Sequence, residues 1–377
     1  MPSMKTINKG EETGGAIATH FPQLDGLRAL AILFVLIQHG FPEHYFVNRS
    51  LPWGAAGVRL FFVLSGFLIT RILLDCRRRE GRDAGARRPA LHAFYVRRAL
   101  RILPVYFFVL GVAALLDAPG VRDHWVWLAT FTSNFLFANL GNWPGFINHL
   151  WTLSVEEQFY LIWPVVIVFA PRRALVPIVL ATVAAAPLWR ATSIGLGHNA
   201  ITTSVFTISC FDSLGMGALL AIARDPTHGS EALLVSLRRV ALYVGVPGLL
   251  IVLGLHITGH LPAFQLVARD FAMALAFTWV VDRACDGFGG GIGWLLSCGP
   301  VRYVGKISYG IYLYHRFIRG FLFILVTEGH LPAPSGYGTR FLRIAILSIL
   351  VAAASWHWLE APINRMKDRF PYDRPRA

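Results

Sequence analysis

Apolar runs of about the length that crosses a bilayer recur along almost the whole chain, and that recurrence limits the fold more than any single motif. A hydrocarbon core of roughly 30 Å takes about 20 helical residues to span, with a range of about 17–25. Ten runs approach or meet that length, at approximately 25–43, 53–75, 102–118, 148–170, 174–189, 204–223, 240–258, 264–281, 308–327 and 341–359. The expected fold is therefore an all-α polytopic membrane protein with about ten transmembrane helices. An aromatic-rich piece at 124–138, HWVWLATFTSNFLFA, reads as an interfacial or re-entrant element, because Trp favours the headgroup level.

Charge placement gives an independent test of this reading. Charged residues make up 15% of the chain, against roughly 25% in soluble domains. The net charge of +14 would suit a nucleic-acid partner, but the arginines cluster between apolar runs rather than along one amphipathic element. With the N-terminus inside, the inner segments (1–24, 76–101, 171–173, 224–239, 282–306, 360–377) hold 24 Lys and Arg, and the outer ones hold 4. That asymmetry places both termini in the cytoplasm. An eleventh span at 124–138 would invert every later loop.

The first 20 residues lack the pattern of a secretory signal. The expected organisation is a cytoplasmic tail at 1–24, a transmembrane domain at 25–360 and a cytoplasmic tail at 361–377. No internal repeat or appended soluble domain is evident. Cys76, Cys210, Cys285 and Cys298 form no C-x-x-C pair, so neither a disulfide framework nor a metal site is expected.

Ionisable side chains inside these spans are costly in lipid and are functional candidates by default. In QLDGLRALAILFVLIQHG, residues 23–40, Arg28 and His39 are 11 residues apart. Eleven steps of ~100° return almost to the starting angle and rise about 16 Å. The two share one stripe of the helix, with Asp25 close to it. Further polar positions are Arg59, His149, Glu156, Glu157, Asp212, the Arg269–Asp270 pair, His315, Arg316, Arg319 and Glu360. Asp212 and Arg269–Asp270 read more readily as pairs that lock helices together, and Ser65 and Gly66 as close-packing residues. The basic segment 76–101 holds nine Arg. It suits anionic lipid, or a phosphorylated cytoplasmic ligand held by Arg97, Arg98 and Arg101. His39 suits a general base acting on a hydroxyl, with Glu156 to orient it. No G-x-S-x-G, H-E-x-x-H or Gly-rich phosphate loop is present.

Together these residues resemble the acyltransferase 3 family of bacterial integral-membrane O-acyltransferases. The resemblance runs in order through LDGLRALAILFVLIQHG, GVRLFFVLSGFLIT, FYVRRALRILPVY, HLWTLSVEEQFYLIWP, FDSLGMGALLA, VGKISYGIYLYH and WLEAPINR. It implies ten core helices in the bacterial cytoplasmic (inner) membrane. The implied donor is acyl-CoA, acetyl-CoA by default, presented from the cytoplasm with no metal. The implied acceptor is a sugar hydroxyl of a surface polysaccharide, a lipid-linked oligosaccharide or a glycosylated metabolite. His39 would be the catalytic residue, with Glu156 beside it in preference to Glu157. Arg28 would face the donor, with Arg97, Arg98 and Arg101 as candidates for the CoA phosphates. Asp25, His149, Glu157, His315 and Glu360 would bind substrate or make structural polar contacts. The chain ends soon after Glu360, so any second transfer step is expected to fall to a separate protein. A secondary transporter or flippase is the competing reading, since it too has midplane charges.

Overall fold

The computed structural model describes residues 21–80 and 87–372, and residues 1–20 of the expected N-terminal tail lie outside them. Among the described residues there is no strand. The long helices are α1 (Pro22–Gly40), α2 (Trp53–Glu80), α3 (Arg87–Leu115), α4 (Trp151–Phe169) and α5 (Leu175–Gly195). After them come α6 (Phe211–Ala223), α7 (Glu231–Thr258), α8 (Pro262–Asp286), α9 (Ser308–Thr327) and α10 (Tyr337–Ser355). Among the described residues, seven helical stretches are long and apolar enough to cross a membrane: α2 (to Arg78), α3 (from Arg88), α4 and α5 each with its preceding turn, α7, α8, and α10 with its continuation. The other three of the ten expected spans are helical but fall short. With its preceding turn α6 covers only Thr207–Ala223, while α1 and α9 are made too polar by Asp25, Arg28 and His39, and by His315, Arg316 and Arg319.

Two stretches that the sequence placed outside the spans are helical for much of their length. The segment 76–101 is mostly helix rather than loop, because α2 runs on to Glu80 and α3 already starts at Arg87. The region after Glu360 continues as a helical turn at Ala361–Arg365 and another at Met366–Arg369. Arg97 on α3 fastens it, donating to the carbonyl oxygens of Lys367 at 2.8 Å and Phe370 at 3.1 Å, with its guanidinium 4.8 Å from the Tyr372 ring centre. The aromatic piece forms two short helices, Trp125–Ala129 and Ser133–Leu140, broken at Phe131, whose φ is 52°.

The centre of the bundle is α1, α2 and α6. Helix α1 buries Leu27, Ala31, Ile32, Val35 and Leu36 against its neighbours, and it stops at Phe41, held extended ahead of Pro42. Helices α2 and α6 approach through glycines. A Cβ on Gly66 would lie 1.9 Å from the Leu214 carbonyl oxygen, and one on Gly217 would lie 2.1 Å from that of Val63. Small residues permit such backbone contact between apolar helices, where packing rather than water exclusion drives association. Gly66→Ala is expected to lower stability by about 1–3 kcal/mol, the usual cost of overpacking. Thermal unfolding in detergent checks this, and an unchanged melting temperature would refute the close contact.

Buried ion pairs tie the outer helices to this centre. Arg59 of α2 meets Asp270 of α8 at 2.5 Å and Asp212 of α6 at 3.4 Å. Arg190 of α5, fully buried, meets Asp212 at 2.6 Å, and Arg269 closes on Asp270 at 3.1 Å. This cluster fits the helix-locking reading of Asp212 and Arg269–Asp270. At the opposite end Arg224 and Arg238 bridge to Asp282 and Asp286 of α8. Exposed apolar residues recur at helical spacing on α4 (Leu161, Ile162, Val165, Phe169) and α10 (Leu342, Ile346, Leu350). Outward faces of this kind suit lipid rather than water.

Candidate active site

Two cavities open on the polar stripe of α1. The larger, of about 600 Å³, is lined by His39 with Gln38, Glu43, Arg59, His149 and Tyr312, and by Arg269, Asp270, Arg316 and Arg319. The smaller, of about 100 Å³, is lined by Arg28, Arg98, Arg101, Glu156, Glu157, Ser65 and Tyr160. Val58 and Tyr312 line both. Arg28 and His39 thus face two chambers that share walls, as their common helical face requires.

His39 sits in the last turn of α1, and its Nδ1 lies 2.8 Å from Nε2 of His315 on α9. His315 Nδ1 lies 2.6 Å from the carbonyl oxygen of Tyr312. A carbonyl only accepts, so His315 carries its proton on Nδ1 and presents a bare Nε2 when neutral. That nitrogen accepts from His39, which places the His39 proton on Nδ1. The hydrogen-bond chain therefore assigns His39 the tautomer with a lone pair on Nε2. Among the described residues, no side chain or backbone group bonds to that nitrogen.

His149 braces the pair. It is buried in the turn before α4, its ring meets His315 edge-on with centres 5.1 Å apart, and its Nε2 lies 3.2 Å from the Leu313 carbonyl oxygen. The Tyr312 hydroxyl is fixed by Thr152 Oγ1 at 2.6 Å and the His149 carbonyl at 3.0 Å. That holds its ring as part of the wall between the chambers.

Glu156 is not beside His39. Its Oε1 accepts from Ser65 Oγ at 2.6 Å, and Ser65 in turn accepts from the Tyr160 hydroxyl at 3.1 Å. Glu157 lines the same small chamber. The reason is helical geometry: α4 starts at the His149 turn, so Glu156 lies seven residues further along, about 10 Å down the axis. Ser65, read from sequence as a packing residue, is instead a polar member of this chamber. Only its neighbour Gly66 packs.

The cationic candidates also divide. Arg28 pairs with Asp25 at 2.8 Å. Arg98 stacks over the Tyr160 ring with its guanidinium 5.2 Å from the centre. Arg101 lines the chamber, while Arg97 is engaged with the C-terminal segment. A space of about 100 Å³ is far below the roughly 300–1,000 Å³ of pockets that enclose a whole small ligand. It is too small to enclose a nucleotide. Glu360 is buried at the π-helical turn Trp356–Glu360, where it accepts from Ser355 Oγ at 3.0 Å. Tyr314 of α9 donates to the same Ser355 oxygen at 2.9 Å, so Glu360 secures α10 to α9. Among the described residues, no group of His, Cys, Asp and Glu is placed to hold a metal ion.

A polytopic helical bundle with an unbonded imidazole nitrogen over one cavity, and a cationic chamber behind it, defines a candidate for group transfer within a membrane. Comparison with known proteins narrows that class. A family model described as an acyltransferase domain, that of acyltransferase 3, matches residues 21–358, and the chain belongs to that family. It is 29% identical over 375 residues to the putative peptidoglycan O-acetyltransferase YrhL of Bacillus subtilis, covering 92% of this chain and 55% of that protein. It is 27% identical over 372 residues to the O-acetyltransferase OatA of Staphylococcus aureus, covering 92% and 57% respectively. The chain thus spans a little over half the length of these curated relatives. No solved structure matches it.

Proposed function

We propose that this protein is a membrane O-acyltransferase that moves an acyl group, acetyl by default, from acyl-CoA to a sugar hydroxyl. The observation that carries the reading is the His39–His315 pair, which leaves a lone pair on His39 Nε2 facing the large cavity. Membership of the acyltransferase 3 family and the printed names of the relatives support the reaction class. The charge asymmetry of the loops supports ten spans with both termini cytoplasmic, which puts the Arg28 chamber on the inner side and the His39 cavity on the outer side.

In this reading the donor enters at the Arg28 end. Its nucleotide stays outside the bundle, and its acylated arm lies in the small chamber with the thioester directed past Val58 and Tyr312. The acceptor hydroxyl occupies the His39 cavity. His39 Nε2 takes the hydroxyl proton as the oxygen attacks the thioester carbonyl carbon. The carbon–sulfur bond then breaks, and the leaving thiolate recovers the proton from the imidazolium. His315 accepts from His39 Nδ1 throughout and so positions the base. Ser65, Glu156 and Tyr160 hold the geometry of the donor chamber.

Membranes containing the protein should release free CoA from acetyl-CoA when supplied with host glycan or lipid extract, and His39→Ala membranes should not. Release that ignores the extract, or that persists in the variant, would overturn the proposal. His315→Gln is expected to lower kcat about 10–100-fold, within the range that positioned acid–base groups contribute. The KM for acetyl-CoA should stay unchanged, because the donor chamber is untouched. A rise in that KM with kcat preserved would show that His315 has no positioning role.

A further inference from the structure

Four arginines face one groove beside the His39 cavity. A cavity of about 600 Å³ lies between α9 and α10, lined by Arg316, Arg319, Arg340 and Arg343 together with Phe146 and Phe323. Arg316 and Arg319 are one turn apart on α9, and Arg340 and Arg343 one turn apart on α10, so two short cationic ladders share the groove. Among the described residues none of the four makes an ion pair. Arg343 donates to the Pro332 carbonyl at 2.8 Å and Arg316 to that of Gly145 at 3.2 Å, while Arg316 Nε is buried without a partner. Arg319 and Arg340 have no hydrogen-bond partner among the described residues. Glu43, which lines the His39 cavity, acts on Arg319 only at longer range than an ion pair.

Four half-buried guanidinium groups without counter-ions are costly in a low-dielectric setting. They also sit at the outer end in the proposed orientation, where arginine is otherwise depleted. Guanidinium groups match phosphate oxygens in bidentate pairs. The rest of the groove wall is apolar, and it borders outward faces of Phe323, Leu342 and Ile346 that suit lipid tails. We infer that the groove between α9 and α10 binds the phosphate-bearing headgroup of a membrane lipid. Arg316 and Arg319 line both this groove and the His39 cavity. A glycan carried on that phosphate would therefore lie within reach of His39. This last step rests on the acyl-transfer reading; lipid binding itself does not.

Native mass spectrometry of the purified full chain tests the site with three probes. They are dioleoyl phosphatidic acid, dioleoylglycerol with the same tails and no phosphate, and inorganic pyrophosphate with no tails. Phosphatidic acid should be retained by the parent and by His39→Ala alike. Dioleoylglycerol should not be retained, and pyrophosphate should compete only in large excess. Arg340→Gln/Arg343→Gln should weaken retention about ten-fold or more, as loss of two charge-assisted contacts implies. Arg319→Gln serves as a second variant if the double change unfolds the protein. Equal retention of dioleoylglycerol, or full retention by the folded variants, would overturn the site. Equally effective pyrophosphate would show a free-anion site instead of a lipid one. Because His39→Ala keeps the lipid, loss of transferase activity and loss of lipid binding are separable results.

Discussion

His39→Ala should transfer acetyl groups about 10²–10⁴-fold more slowly than the parent, the range expected when a positioned general base is removed. The loss should fall on kcat. In the proposed reading the donor occupies the Arg28 chamber, which shares only Val58 and Tyr312 with the His39 cavity. His39 lies in the last turn of α1, so its removal leaves the central packing of Leu27, Ala31 and Val35 in place. Size-exclusion profile and melting temperature should therefore stay near the parent's. Steady-state CoA release with the acceptor present gives the measurement. Parent-like turnover by folded His39→Ala protein would remove the base from the mechanism.

Asp212→Ala should cost about 3–5 kcal/mol, the range for breaking a buried ion pair by deleting one partner. Asp212 receives Arg190 at 2.6 Å and Arg59 at 3.4 Å, and it also accepts from its neighbour Ser213 through the backbone N–H at 2.7 Å. Without it, buried Arg190 would keep only the carbonyl oxygens of Ser209 and Val267, and Arg59 would be left with Asp270, which Arg269 already contacts. Helices α2, α5, α6 and α8 would lose their common tie. Thermal unfolding in detergent should show a large drop in melting temperature, with Asp212→Asn falling between parent and Ala. A parent-like Asp212→Ala transition would mean that the cluster carries no net stability.

The sequence made the helices and the polar stripe of α1 legible because both follow from local periodicity. The segment at 308–327 coincides with α9, and Arg28 and His39 share a face as the 11-residue spacing requires. The partner of His39 was not legible in the same way, since His315 lies 276 residues away and only packing brings α1 and α9 together. Glu156 was expected to orient the imidazole because the chemistry calls for a carboxylate there; that it lines the smaller cavity with Ser65 depends on its depth in α4, which no local pattern gives. Ser65 looked like a small packing residue beside Gly66. Its hydroxyl becomes informative only when Glu156 is seen opposite it. Arg97 stood in a basic cluster with Arg98 and Arg101, and nothing local revealed that the chain's own C-terminal segment would occupy it. Arg340 and Arg343 stand in a loop and span of ordinary composition. Their meaning comes from facing Arg316 and Arg319 across a groove.

In the proposed mechanism an acyl group crosses the bundle from the Arg28 chamber to the His39 cavity while its CoA carrier does not. Proteoliposomes of uniform orientation test it directly, with acetyl-labelled acetyl-CoA supplied only on the Arg28 side and host glycan acceptor enclosed on the His39 side. Free CoA should appear on the donor side and labelled acetyl ester on the enclosed acceptor in equal amounts, with neither formed by His39→Ala. Labelled ester formed only when donor and acceptor share one side, or acceptor moved across without thiol release as in a transporter, would contradict it.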